Sequence, residues 1–290
     1  MPNPLAGFRI SGSLVLVFSL AAMSQFAQAQ QSQAPQTDEQ KNLSSQYAKL
    51  SEHANAGGPA PRRDLSGAWA GPVAANTSVP VPMTPLGQKM FSLNKPEGPQ
   101  SEPGTQVPVA LSNDPLRTCD PEGVPRDVTF EDRAIQFVQT PTAMWEMFQY
   151  QQIWREIWTD GRKLPTNVGK PGGPDPRYYG FSVGHWDGDY TFVVDSVGTD
   201  PSTWIDNAGH PHTGDLHVEE RYRRVDHNDL ELTVTIDDPK FYTKPFVVTK
   251  YTLKWIPTQE FEEQLCIPSV MLRYDRLLAV PAGDPNAGKP

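Results

Sequence analysis

Three of the chain's six histidines, His210, His212 and His217, fall within eight residues, and Asp206 and Asp215 lie beside them. Imidazoles and carboxylates at such spacing suit zinc, copper or iron, or a proton-transfer pair working near neutral pH. An ordinary polar loop with hydrogen-bonded histidines uses the same residues. H-x-H and H-x4-H carry no fixed ligand geometry, so the sharper expectation is metal-free acid–base chemistry. His212 or His217 would carry the proton there, and Arg155 or Arg221 would hold an anionic group.

A second constellation comes from alternation. In the run Leu216–Val225, Leu216, Val218, Glu220 and Tyr222 share one face, and His217, Glu219, Arg221 and Arg223 share the other. Glu220 thus sits on the more apolar face, where a carboxylate is costly unless it is paired. Arg155 shares a face with Ile153 and Ile157 by the same argument. A Glu220–Arg155 pair inside a barrel would serve as a binding pole or as a general acid/base device. A structural buried ion pair fits these residues equally well.

Asp160-Gly161-Arg162 reads as a tight turn whose charges either frame a cleft mouth or stay solvated. Trp154, Trp158, Trp186 and Trp204, with Tyr178 and Tyr179, make the middle of the chain aromatic-rich. Such side chains line aromatic or carbohydrate pockets, or simply pack. The ligand-binding candidates are therefore Arg155, Asp160, Arg162, Trp204, Asp206 and Arg221. The catalytic ones are His212, His217 and Glu220. H-E-x-x-H, the P-loop and G-x-G-x-x-G are missing, and no cofactor is expected.

These residues need a scaffold, and from Arg126 onward the pattern has period 2 with turns every eight to twelve residues. Ala134–Gln139, Ala143–Tyr150 and Ile153–Thr159 read as strands. Asp187-Gly188 between Gly180–Trp186 and Asp189–Val197 is a strong hairpin signal. Leu216–Val225 with Leu230–Ile236, and Phe246–Ile256 with Phe261–Ile267, make two more hairpins. About ten strands are expected, with no helix-length segment after Leu93. An antiparallel meander of this length closes into a barrel or folds into two layers, which removes its edges.

Earlier in the chain, Leu65–Trp69 reads as one strand within a Pro-rich stretch from Pro59 to about Pro125. Thr84-Pro85 suits the N-cap and first position of a helix running through Leu93. Thr37-Asp38-Glu39-Gln40 has capping-box spacing ahead of Leu43, Tyr47 and Leu50, and Gly57-Gly58 supplies a stop. Arg9, an apolar run from Leu14 to Met23 and Ala27-Gln28-Ala29 follow the order of a secretory signal peptide cleaved after Ala29. The organisation expected is a signal peptide over 1–29, a flexible lead with a short helix over 30–63, a single β domain over 64–280 and a loose tail over 281–290. Export would leave the protein periplasmic or secreted, with no membrane segment after signal removal. It would also favour a disulfide between Cys119 and Cys266, the only two cysteines. Two buried free thiols are the alternative.

With 25 Lys+Arg against 34 Asp+Glu in 290 residues, the net charge of −9 argues against a nucleic-acid partner. Thirty Pro and 22 Gly make the chain loop-rich, and 37 % apolar residues still suffice for a core.

Leu65–Trp69, Met83–Gly87, Cys119-Asp120-Pro121 with Pro125-Arg126, Arg155–Arg162, Gly180–Asp189, Trp204–Arg224 and Asp238–Pro245 together resemble a family of exported, functionally uncharacterised bacterial β-rich proteins. The resemblance spans roughly residues 64–267 and implies no activity, cofactor or catalytic residue. Gln149 stands where similar proteins have Glu. Gly67-Ala68-Trp69 is also similar to the opening strand of lipocalin-like barrels, which implies a calycin-type barrel. The leading expectation is an exported all-β protein that binds a small, partly polar or aromatic molecule. An acid–base enzyme built on His212 or His217 with Glu220 and Arg155 is the runner-up, and an envelope-interaction module without a pocket is the third.

Overall fold

The computed structural model describes residues 57–70, 80–97, 105, 107–129, 134–257 and 260–283. The expected signal peptide and the helix around Leu43–Leu50 lie outside the described residues. Nine strands follow one another around a closed barrel: β1 (Gly67–Ala70), β2 (Ala134–Gln139), β3 (Ala143–Phe148), β4 (Trp154–Trp158), β5 (Phe181–Asp187), β6 (Thr191–Val197), β7 (His217–Arg224), β8 (Asp229–Asp237) and β9 (Phe246–Trp255). The all-β barrel expected from the alternation is therefore the fold.

Strict alternation builds it. In β8 Leu230, Leu232, Val234 and Ile236 are buried while the residues between them are not, and β7 buries Val218, Glu220, Tyr222 and Arg224. Buried positions of eight strands meet in one core, with Trp69, Phe137, Met144, Ile157, Phe192 and Tyr222 among its largest members, and the partly buried Trp186 of β5 packs against it. Val124 and Val128, from the segment that ends in the short helix α2 (Arg126–Thr129), join that core. The Asp-Gly hairpin forms as expected, with Gly188 at φ 71° between β5 and β6.

Closure is made by β1, whose Trp69 and Ala70 pair with Trp255 and Lys254 of β9. Gly67 opens β1 at φ 121°, and a Cβ there would stand 2.6 Å from the Trp255 indole nitrogen. The glycine of Gly-x-Trp is thus what lets the last strand approach the first. Helix α1 (Pro85–Phe91) starts as expected, with the Thr84 hydroxyl accepting from the Gly87 amide and Pro85 in the first turn.

The structure corrects several expectations. Among the described residues the strands number nine, and one junction, β4 to β5, is parallel. Residues 261–267 form no strand: Gln264 makes a single bridge to Tyr150. The reason is topological, because β9 already pairs with β8 on one side and β1 on the other and has no free edge. A helical segment also follows Leu93, running from α3 (Pro268–Tyr274) through a π-helical turn (Asp275–Ala279) to α4 (Val280–Gly283). The chain after Val280 therefore continues helical to Gly283.

Pro268 occupies the first turn of α3, but Ile267 before it offers no side-chain cap, so the usual polar start signal is missing. Cys119 and Cys266 are joined by a disulfide that ties this segment to the 3-10 turn Pro115–Thr118. Arg117 reinforces the link by pairing with Asp275 and lying 5.7 Å from the Tyr274 ring centroid. Among the described residues, no helix is long and apolar enough to cross a membrane.

Candidate functional site

Alternation delivers Arg155 and Glu220 to the same place. Arg155 on β4 donates through both terminal nitrogens to the Glu220 carboxylate on β7, with Nη1 2.9 Å from Oε1, and its Nε donates to Glu146 on β3. Glu146 and Glu220 are wholly buried, and Arg155 is 4 % exposed. The Tyr222 hydroxyl lies 2.8 Å from Glu146 Oε1 and 2.7 Å from Glu220 Oε2.

A phenol has one proton to give, so two such contacts are both satisfied only if one carboxyl brings a proton of its own. Glu146 is that group. Burial, partly offset by Arg155 and helped by the Glu220 charge, raises its pKa from 4.5 to about 7. Burial works against the Arg155 charge, yet Glu146 and Glu220 outweigh it and hold the guanidinium protonated. Below about pH 7 the proton on Glu146 removes the second negative charge that Arg155 alone does not balance. Asp127 lies nearby at 2 % exposure, and neither carboxylate oxygen has a hydrogen-bond partner. Burial drives its pKa well up, against the pull of Arg155.

The open space is elsewhere. β4 and β5 touch only through Ile157 with Ser182 and Trp158 with Val183, so the start of β4 runs past the beginning of β5. A cleft of about 860 Å³ opens at that stagger. Its apolar walls include Trp154, Trp158, Tyr178, Tyr179 and Phe181; Arg155 is on the lining, while Glu220 and Glu146 are not. Tyr179 joins cleft to core by stacking on Phe148, at 6.4 Å between centroids. Burial, with Asp127 and Glu122 nearby, raises its phenol pKa and keeps it un-ionised.

Charges ring the same space. Arg162 lies flat over Trp158, 3.3 Å from the ring centroid, and its guanidinium is held by both oxygens of Asp160 across the turn at Gly161. Arg177 covers Phe181 at 4.2 Å, and Lys163 lines the cleft beside Arg162. Gly180 belongs here for a steric reason: at φ 57° its Cβ would meet the Val197 carbonyl at 2.6 Å.

The remaining candidates are dispersed. His217 is on the opposite face of β7 from Glu220, partly exposed, with Nε2 2.9 Å from Asp195. His212 is buried in the loop before β7, with Nδ1 donating to the Thr213 carbonyl and Nε2 2.8 Å from the Thr203 hydroxyl. Burial lowers its pKa and leaves it neutral. Asp206 ties its own loop, accepting from the amides of Ala208 and His210 and from His210 Nδ1 at 2.7 Å. Trp204 is buried under the Arg126 guanidinium, 5.2 Å from its ring centroid, and Arg126 is paired with Asp114. Arg221 is exposed and pairs with Asp187. His212, His217 and Glu220 therefore do not converge. Among the described residues, no group of three or more His, Cys, Asp or Glu side chains could hold a metal ion.

No family model, curated protein or solved structure matches the chain. Its chemistry rests on geometry alone.

Of the expected ligand-binding residues, the cleft gathers Arg155 and Arg162, with Asp160 holding the latter. Trp154, Trp158, Tyr178 and Tyr179 join them from the aromatic group, whereas Trp186 and Trp204 do not. Lys163, Arg177 and Phe181 were outside the expectation; Arg177-x3-Phe181 offers only a cation near an aromatic as a signal. Glu146 carried a better one, since it shares the inward face of β3 with Met144 and Phe148.

Proposed function

We propose that this chain is exported and that its barrel carries, at the β4–β5 junction, a binding site for a small, partly aromatic molecule. The observation that supports this most is the cleft of about 860 Å³, a size in the range of small-molecule sites and walled by aromatic side chains with cations at its edge. The acid–base alternative asks for His212, His217 and Glu220 at one place, and they occupy three separate environments. Arg155 is held by Glu146 and Glu220 and acts as the rigid floor of the cleft, not as a proton carrier.

Native mass spectrometry of protein purified from its own host tests both halves. The expected result is a mature chain starting at Gln30 with a small molecule retained. Trp158→Ala should lose that molecule while the barrel stays folded by circular dichroism. A retained leader would overturn the export reading. A wild-type protein that arrives empty, or a Trp158→Ala protein that keeps the same molecule, would overturn the binding reading.

A further inference from the structure

The cleft's charge is out of character with the rest of the chain. The protein is net −9, yet the cleft lining holds four cations, Arg155, Arg162, Lys163 and Arg177, and one carboxylate, Glu156. Two of those cations are already balanced, Arg155 by Glu146 and Glu220 and Arg162 by Asp160. Lys163 and Arg177 are different: among the described residues neither forms an ion pair, and both are exposed at the cleft. Arg177 is also held in place, because its guanidinium covers Phe181. A cation fixed beside an aromatic wall, with its outward donors unused, recognises a planar ligand that carries an anion. In an acidic protein such a spot also focuses field lines and draws anions selectively to the cleft.

Resting on the binding reading above, we infer that the cleft takes a flat aromatic acid, with its ring system against Trp158, Tyr178 and Phe181 and its acid group at Lys163 and Arg177. The aromatic walls supply most of the affinity through buried apolar area, and the two cations set the choice of an acid over a neutral analogue. Charge-assisted hydrogen bonds at a half-open site are worth about tenfold each in binding. The selectivity should also weaken with added salt, since both cations are reached by solvent.

The test uses two probes of one shape, 2-naphthoate and 2-naphthalenemethanol, titrated into the full mature protein by calorimetry at low and high salt. Wild-type protein should prefer the carboxylate by about tenfold or more at low salt. Lys163→Gln with Arg177→Gln should abolish that preference by lowering the carboxylate's affinity about tenfold or more, to that of the alcohol; both side chains are exposed, so the barrel should tolerate them. Trp158→Ala should weaken both probes together. Equal affinity for the two probes in wild type, or a preference that survives the double substitution, would overturn the acid specificity while leaving the cleft as a binding site. Failure of both probes to bind would overturn the specificity and the binding reading together.

Discussion

The lumen and the seam hold the same kinds of side chain under opposite rules. Around Arg155 every charge is buried and answered: two terminal nitrogens to Glu220, Nε to Glu146, and Tyr222 between the carboxyls. Around the cleft, Arg162, Lys163 and Arg177 are exposed, two of them lie on aromatic rings, and two form no ion pair among the described residues. In a low-dielectric lumen a charge must be paired inside the protein or the barrel loses stability. At a wet seam a charge can wait for a partner from solution at little cost. The buried network is therefore read as architecture and the exposed one as recognition, although β4 borders both.

The comparison breaks most readily at Glu220. Replacing it with Ala strands the Arg155 guanidinium in the core and should cost about 3–5 kcal/mol, seen as a lower urea midpoint with an unchanged slope. Glu220→Gln keeps an acceptor and should cost less. If Glu220→Ala unfolded at the wild-type midpoint, the lumen would be more hydrated than its burial implies and the contrast would fail.

That pairing was legible because a strand's period of two is the most regular pattern a sequence holds. Ile153 and Ile157 flank Arg155, and Val218 and Tyr222 flank Glu220; each charge has apolar neighbours two residues away. Glu146 between Met144 and Phe148 obeys the same rule and could have been found by applying it once more. The seam was not legible. Its shape comes from the long connection 159–180, which returns the chain to run parallel to β4 and leaves only two residue pairs at the junction. Parallel pairing after a Pro- and Gly-rich loop leaves no periodic trace. The aromatic richness of the region was visible, but which of the rings share a cleft depended on that stagger. Asp127 escaped for a related reason, being set into the core by a four-residue helix with no strand to give it a face.

A second prediction sharpens the contrast through protons. Glu146 titrates from an ordinary 4.5 to about 7 because of burial, and Asp127 moves in the same direction. In both cases the folded state holds a proton that the unfolded chain has already lost. The stability from Glu146 is full below about pH 4.5 and falls as pH rises towards 7, by an amount on the order of a few kcal/mol. Thermal midpoints at pH 5 and pH 8 should therefore drop more for wild type than for Glu146→Gln, which cannot lose the proton. Equal drops in the two proteins would place the Glu146 proton elsewhere. Neither Glu146 nor Glu220 lines the cleft, so acid preference at the seam should stay constant while the lumen weakens.

The smallest effect separates position from stability at the seam itself. Arg162 is held by Asp160 and stacked on Trp158, an arrangement that resembles the Arg155 network in drawing but not in surroundings. Asp160 has its pKa lowered chiefly by its hydrogen bonds from Arg162, yet both groups face water. Solvent and salt screen such a pair, and holding two side chains in one geometry offsets most of its attraction. Arg162→Gln should accordingly leave the urea midpoint where it is. What it removes is the plate over Trp158, so the indole should become more mobile and more accessible to solvent, read as a red-shifted and more readily quenched tryptophan emission. A clear loss of stability in this variant would mean that the seam, like the lumen, depends on its charges to stay closed, and the division between architecture and recognition would have to be redrawn along β4.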